Sequence, residues 1–370
     1  MKNFKSAFLA LLIILYPGIN HSQTVDEIYS RFTKIYHAFG GISLPYYLFT
    51  PGVQDQEKYP LILCLHGAGE RGDDGSAVRH NSMAVVWARD SNQVRWPCFL
   101  IVPQCPLNGS WTSSNIVSNI YDLLDSVIFN SPVDTNRVYI TGLSMGGNGT
   151  WDMIEKYPQK FAAAVPVCGW GDSSKVSLIK NLPIWNFHGA LDNTVPVVNS
   201  RMMMAALENR GRNVVYTEEV SDSALADTLS KGAKLLYTEY PTGGHSIWDQ
   251  TYNNPLLLPW VFSQVKTEPF TGTNITASDM IPEFKLEQNF PNPFNPSTTI
   301  PFRIYKRSFV SLKIYDLLGK EVWVLLNKDF PPGLYHFPFS ISHFPLPSGV
   351  YFYMIEAGGF AQTKKLIVLK

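Results

Sequence analysis

Gly142-Leu143-Ser144-Met145-Gly146-Gly147 follows directly on the β-like run Arg137-Val138-Tyr139-Ile140-Thr141 and leads straight into a helical stretch. A strand-turn-helix context of this kind holds a serine on a sharp, strained turn with its hydroxyl above a sheet. The small residues on either side let the turn pass close to neighbouring strands. A five-residue pattern says little alone, so the weight falls on what accompanies it.

Two further segments follow in the order serine, acid, histidine. Pro183-Ile184-Trp185-Asn186-Phe187-His188 reads as a buried strand and runs into Gly189-Ala190-Leu191-Asp192-Asn193, which places Asp192 beyond the strand's carboxyl end. Lys234 to Tyr240 reads as the next strand and runs into Pro241-Thr242-Gly243-Gly244-His245, where glycines let the backbone present His245 to the same rim. In an open parallel sheet all strand carboxyl ends share one edge, so loops distant in sequence converge there.

The residue types fit one chemistry. A serine hydroxyl is a poor nucleophile at neutral pH and needs an imidazole to take its proton and return it to the leaving group, the role expected of His245. A carboxylate on the other ring nitrogen fixes the tautomer and steadies the imidazolium, the role expected of Asp192. Asp172, in Cys168-Gly169-Trp170-Gly171-Asp172, follows the preceding strand and is the competing acid. Asp192 is preferred because its loop lies one strand nearer the histidine's. His66 and His188 also sit at strand ends and are read as orienting loops through backbone hydrogen bonds. An oxyanion needs two backbone donors, one from Met145 after the serine and one from the loop His66-Gly67-Ala68-Gly69 after the run Leu61 to Leu65.

His66 to Gly72, Val102 to Pro106, Gly142 to Trp151, Phe161 to Cys168, His188 to Pro196 and Gly244 to Trp248 together resemble the α/β-hydrolase family. Within it they are similar to secreted serine esterases near polyhydroxybutyrate depolymerases and feruloyl or acetylxylan esterases. The likeness covers about residues 45 to 265 and keeps motif order. It implies a triad of Ser144, Asp192 and His245 and oxyanion amides from Ala68 and Met145. One departure concerns Val214 to Glu219 and Leu235 to Tyr240, near copies where a single strand is expected; residues 220 to 233 between them read as an inserted hairpin loop near the site.

Trp111, Trp170 and Trp248 fall in rim loops, where an aromatic ring is either a platform for an acyl or sugar ring or packing beneath a loop. Arg71-Gly72-Asp73 is read as a solvated loop rather than an adhesion motif. Asn108, Asn148 and Asn274 begin glycosylation-type triplets, a pattern that would be uninformative were the chain bacterial. The sequence holds no His-Glu-x-x-His, no paired Cys-x-x-Cys and no calcium-loop spacing, and no phosphate-cradling glycine loop before Lys-Ser or Lys-Thr. Neither a metal nor an organic cofactor is expected.

Thirty basic residues balance thirty acidic ones in 370 residues, so no electrostatic footprint for nucleic acid or an anionic membrane is present. Lys2 and Lys5, the apolar run Ala7 to Leu15 and Tyr16-Pro17-Gly18 have the build of a secretory signal peptide, too short to span a membrane, with cleavage near Ser22. Export would permit disulfides among Cys64, Cys98, Cys105 and Cys168. Cys64 and Cys168 read as core thiols; Cys98 and Cys105 flank one strand and could meet only if its loop doubled back.

Ile116, Val117, Ile120, Leu123, Leu124, Val127 and Ile128 recur at helical intervals, which predicts an amphipathic helix packed on a sheet. Cys98 to Val102, Val138 to Thr141 and Ala162 to Val167 are continuous apolar runs, the mark of strands buried on both faces. The expected fold is therefore an α/β-hydrolase, doubly wound around a mostly parallel sheet, with a small C-terminal all-β sandwich. The helix after Ser144 should end near Tyr157, ahead of Pro158, with its positive end toward the nucleophile.

Composition shifts after Lys266. The expected division is a signal peptide at 1–22, a catalytic domain at 23–266, a polar linker at 267–283 and a sandwich at 284–370. In the last, Phe302 to Asp316, Glu321 to Leu326, Gly333 to Phe339 and Gly349 to Glu356 read as strands. Phe290-Pro291-Asn292-Pro293-Phe294-Asn295-Pro296-Ser297-Thr298-Thr299, Leu318 to Val322 and Ser348 to Tyr351 resemble the C-terminal sorting domain of the type IX secretion system. That resemblance implies the type IX machinery as a partner and a secreted or cell-surface location in a Bacteroidetes-like bacterium.

The expected activity is ester hydrolysis through an acyl-enzyme on a polymeric substrate, with feruloyl or acetyl esters of plant polysaccharides preferred by family analogy. Polyesters and then peptides are the alternatives. A noncatalytic surface adhesin is the competing class, and the presence of Ser144, Asp192 and His245 in family order argues against it.

Overall fold

The computed structural model of the chain describes residues 23–39, 41–52, 57–218, 223–266, 284–304, 307–331, 333–357 and 360–369. The expected signal peptide and linker lie outside the described residues. Contacts divide the chain into two units, Met1–Pro269 and Phe270–Lys370.

The first unit is built on nine strands: β1 (Thr33–Phe39), β2 (Ile42–Phe49), β3 (Tyr59–Leu65), β4 (Phe99–Pro103), β5 (Val133–Leu143), β6 (Ala163–Val167), β7 (Ile184–Gly189), β8 (Val215–Thr217) and β9 (Leu235–Tyr240). Their order across the sheet is β1-β2-β4-β3-β5-β6-β7-β9-β8. β2 runs antiparallel to both its neighbours, and every pairing from β4 to β8 is parallel. Because successive side chains leave opposite faces, a strand covered on both sides is apolar along nearly its whole length. β3 shows this: Leu61, Leu63 and Leu65 join the core under the helices Ser114–Asn130, Met145–Lys156 and Val198–Glu208, while Ile62 and Cys64 join the core under Ser82–Ala88 and Leu257–Ser263.

The strands between β3 and β9 match their apolar runs, and the helix over Ile116 to Ile128 extends from Ser114 to Asn130. The reading of residues 220 to 233 as a hairpin loop is overturned. β8 and β9 are both strands of the sheet and lie parallel, and parallel neighbours need a crossover rather than a hairpin. Helix Ser223–Ser230 occupies that crossover, with Leu225 buried in the core. Cys64, Cys98, Cys105 and Cys168 are all free and buried, so no disulfide bridges Cys98 and Cys105.

The named strands of the second unit pair antiparallel. A three-stranded sheet, β10-β11-β14, comprises β10 (Phe284–Leu286), β11 (Ser297–Ile304) and β14 (Gly333–Ser340). A four-stranded sheet, β13-β12-β15-β16, comprises β12 (Ser308–Tyr315), β13 (Glu321–Phe330), β15 (Gly349–Ala357) and β16 (Phe360–Val368). Alternate residues point inward, as in Ile300, Phe302 and Ile304 of one sheet against Val310, Leu312 and Ile314 of the other. The run Phe302 to Asp316, expected as one strand, is two: it ends β11 and then crosses to β12 in the other sheet.

Candidate active site

Ser144 lies between the last residue of β5 and the first of helix Met145–Lys156, with φ 54° and ψ −116°. A side-chain-bearing residue with positive φ is held against its own steric preference, which aims its hydroxyl outward and costs on the order of 1–3 kcal/mol. Neighbouring backbone over-determines that conformation: the Ser144 amide donates to the Val167 carbonyl at 2.9 Å and the Asn148 amide donates to the Ser144 carbonyl at 3.1 Å. A Cβ at Gly146 would lie 1.8 Å from the Leu65 carbonyl oxygen, so only glycine lets the helix start pack against the end of β3.

Two loops deliver the other side chains, and they are stitched together. The Leu191 amide donates to the Gly243 carbonyl at 2.8 Å, and the Ala190 amide to the Tyr240 carbonyl at 2.9 Å. Gly189 is pressed against the Gly243 and Gly244 carbonyls, 2.4 and 2.2 Å from where a Cβ would sit, so the loops after β7 and β9 meet backbone to backbone. On that support Ser144 Oγ lies 2.9 Å from His245 Nε2, and His245 Nδ1 lies 2.7 Å from Asp192 Oδ2. The carboxylate can only accept, so Nδ1 carries the proton and Nε2 is free to accept from the serine hydroxyl. Asp192 Oδ1 accepts from the amides of Thr194 and Val195, both at 2.9 Å. Burial works to raise this carboxyl's pKa, but the His245 bond and the two amides outweigh it and hold the group below the usual carboxylate range.

Asp172, the competing acid, is elsewhere. Its carboxylate caps the turn Ser173–Ile179, accepting from the Ser174 amide at 3.0 Å and hydroxyl at 2.6 Å, and it pairs with Lys175 at 3.0 Å. Those bonds hold its carboxyl at about 2.

Ala68 opens the one-turn helix Ala68–Glu70 just after β3, and Met145 opens the helix after the serine, where an amide has no intrahelical acceptor. The loop and the helix start touch through Arg71, whose guanidinium approaches Met145 Sδ at 3.1 Å. Behind the loop, buried His66 donates from Nδ1 to the Gly67 carbonyl at 2.6 Å and accepts at Nε2 from the Cys105 amide at 2.9 Å. Burial lowers its pKa to about 4, so it stays neutral in this role. The three tryptophans separate. Trp111 is 1% exposed and donates from its indole to the His66 carbonyl at 2.8 Å, which makes it packing beneath the loop and corrects its reading as a substrate platform. Trp170 is 45% exposed. Trp248 stands edge-on to the His245 ring, centroids 5.0 Å apart.

Among the described residues, the three-residue cluster able to offer metal-ligand atoms is Cys168, Asp192 and His245, within 4.8 Å of one another. Its donors suit the hydrogen-bonded arrangement better than a cation. Nδ1 and Oδ2 are already joined to each other, and burial pushes the Cys168 thiol pKa up, away from the thiolate a metal needs.

Residues 110–251 match the family described as phospholipase/carboxylesterase, and residues 288–369 match the secretion system C-terminal sorting domain. The first unit has the α/β-hydrolase fold, and the second carries the match to the sorting domain. A thermostable esterase of known structure is 38% identical with a TM-score of 0.56, over 65% of this chain and 64% of that one. A bifunctional acetylxylan esterase/xylanase of Neocallimastix patriciarum is 26% identical over 175 residues, 46% of this chain and 23% of that protein. The poly(3-hydroxyalkanoate) depolymerase C of Paucimonas lemoignei is 27% identical over 212 residues, 44% of this chain and 48% of that protein. The chain thus spans less than half the length of these curated relatives. Its sorting domain marks it for the cell surface or the extracellular space.

Proposed function

We propose that this α/β-hydrolase is a serine carboxylic-ester hydrolase that works through an acyl-enzyme. The observation that carries the reading is the unbroken relay from Ser144 Oγ through His245 to Asp192, at 2.9 and 2.7 Å, with the serine on a strained turn. Ser144 attacks the ester carbonyl while His245 Nε2 takes its proton, and the protonated ring then returns that proton to the departing alkoxide. Asp192 steadies the imidazolium. The amides of Ala68 and Met145 receive the oxyanion, aided by the positive end of the helix that starts at Met145. Water repeats the sequence on the acyl-enzyme and frees the acid.

For the substrate we propose feruloyl or acetyl esters on plant polysaccharides. Support comes from the acetylxylan esterase relative, from the sorting domain, which suits digestion of a polymer outside the cell, and from exposed Trp170 on the loop after β6. Residues 23–266 are assigned to catalysis and 284–370 to delivery by type IX machinery. The polyester reading draws on the depolymerase relative and enters as an arm of the test.

The test offers p-nitrophenyl acetate, methyl ferulate, acetylated xylan, a poly(3-hydroxybutyrate) suspension and a chromogenic peptide to the parent and to Ser144→Ala. Ester turnover should fall in the variant to about one part in a thousand or less. Undiminished turnover in Ser144→Ala would sink the mechanism. Release of hydroxyacid faster than of ferulate or acetate would move the substrate to polyesters.

A further inference from the structure

Two imidazoles flank Asp192, and one of them never reaches the serine. His188, in β7, is fully buried. Its Nε2 lies 2.9 Å from the Val195 carbonyl oxygen and 3.2 Å from Asp192 Oδ2, and its Nδ1 lies 2.7 Å from Ser200 Oγ. Both neighbours of Nε2 can only accept, so that nitrogen carries the proton, and Nδ1 accepts from the Ser200 hydroxyl. Burial lowers the pKa of this ring, against the pull of the Val195 carbonyl and Asp192, which keeps it a neutral donor.

The oxygen that His188 approaches is the one that accepts from His245 Nδ1. The other oxygen, Oδ1, is held by the Thr194 and Val195 amides. Val195 therefore acts twice, its amide on Oδ1 and its carbonyl on His188, and the contacts close a ring around the carboxylate. A carboxylate's terminal torsion is broad, so donors on one oxygen leave the tilt of the other loosely fixed. A neutral N–H edge beside Oδ2 narrows that tilt, and in a water-excluded site its dipole is little screened.

We infer that His188 is a positioning residue for the reaction, holding the Asp192 carboxylate so that Oδ2 stays aimed at His245 Nδ1 while the imidazolium forms. The inference rests on the triad reading above. A residue acting through Asp192 should matter only while Asp192 is present, whereas plain packing would matter in either case.

A double-mutant cycle on the full chain with p-nitrophenyl acetate separates the two. His188→Leu, which keeps bulk and loses the N–H, should lower kcat about 10- to 100-fold with KM changed by less than about twofold. In an Asp192→Ala background the same change should cost less than about threefold. His188→Gln, whose amide can stand in for Nε2–H, should recover most of the lost kcat. Equal losses in both backgrounds, a rise in KM at constant kcat, or no loss in either variant overturns the inference. Should His188→Leu fail to melt cooperatively, His188→Met, which also lacks the N–H, takes its place in the cycle: coupling to Asp192 supports the role, and its absence refutes it. A parent inactive on every ester defeats the ester-hydrolase reading instead, and the rate at which a fluorophosphonate labels Ser144 across the same variants then reads the coupling.

Discussion

Asp172 and Asp192 occupy equivalent places: each sits on the loop beyond the carboxyl end of an interior parallel strand, β6 for one and β7 for the other. Asp172 is open to solvent and spends its oxygens on Ser174 and Lys175. Asp192 is buried and divides its oxygens between two amides and His245, with His188 alongside. What separates them is the next loop along. The β7 loop is hydrogen-bonded to the loop that carries His245, and an acid on it meets the imidazole as a by-product of backbone pairing. The role of an acid here is set by which loops are stitched, and the residue type only permits it.

The sharpest way to break that contrast is Asp192→Asn. It keeps shape but offers an amide that can favour the wrong His245 tautomer, so kcat should fall by about 10³- to 10⁴-fold, measured on p-nitrophenyl acetate. A fall of less than tenfold would mean that the acid is supplied from elsewhere.

A middle-sized effect sits beneath the Asp172 loop. Glu155, on the helix that begins after Ser144, accepts from the Asp172 amide at 2.8 Å and is almost wholly buried. Burial raises its pKa from 4.5 to about 7, against the opposing pull of the Asp172 amide and Lys175. The folded state therefore holds this proton more tightly than the unfolded chain, so stability contributed by Glu155 is greatest at low pH and declines as pH climbs from 4.5 to about 7. Glu155→Gln keeps the acceptor and removes the charge. It should leave melting unchanged at pH 4 and raise it by about 2–4 °C at pH 8, the shift about 1 kcal/mol gives a unit of this size. Equal curves at pH 8 would show that the charge is tolerated.

Asp172→Asn should do least. Its amide oxygen still caps the turn, and the exposed pair with Lys175 is worth little, so kcat and KM should stay within about twofold of the parent. A larger loss would erase the distinction drawn between the loops.

How far the sequence discloses this arrangement depends on burial. β3, β4 and β6 are buried at every position and appear as unbroken apolar runs, while β5, β7 and β9 keep apolar stretches interrupted by a few polar residues, and the rim follows from where those runs end. The periphery is harder to read. β1 is an edge strand with one side exposed, and β8 is three residues long, too short to stand out from the segment around it. Val214 to Glu219 and Leu235 to Tyr240 look like the two arms of a hairpin because side-chain pattern does not encode strand direction; a parallel pair has the same pattern. In the sandwich, a run spanning two strands hid the crossing between sheets, since inward-facing residues continue on both sides of it.

Ser144, Asp192 and His245 could be found because each follows a readable strand. The supporting contacts could not. Nothing in His188-Gly189-Ala190-Leu191-Asp192 announces that the first and last side chains meet at 3.2 Å, and Trp111 looks like a rim aromatic until its indole is seen to hold the His66 carbonyl.

The four buried sulfurs, none of them in a disulfide, carry a consequence for handling this protein. Folding needs no oxidant, so a bacterial cytoplasm rich in thioredoxin and glutathione should deliver native material, and millimolar dithiothreitol added to a purified sample should change neither yield nor rate. A fold whose strength owes nothing to cross-linking should keep it under oxidising and reducing conditions alike.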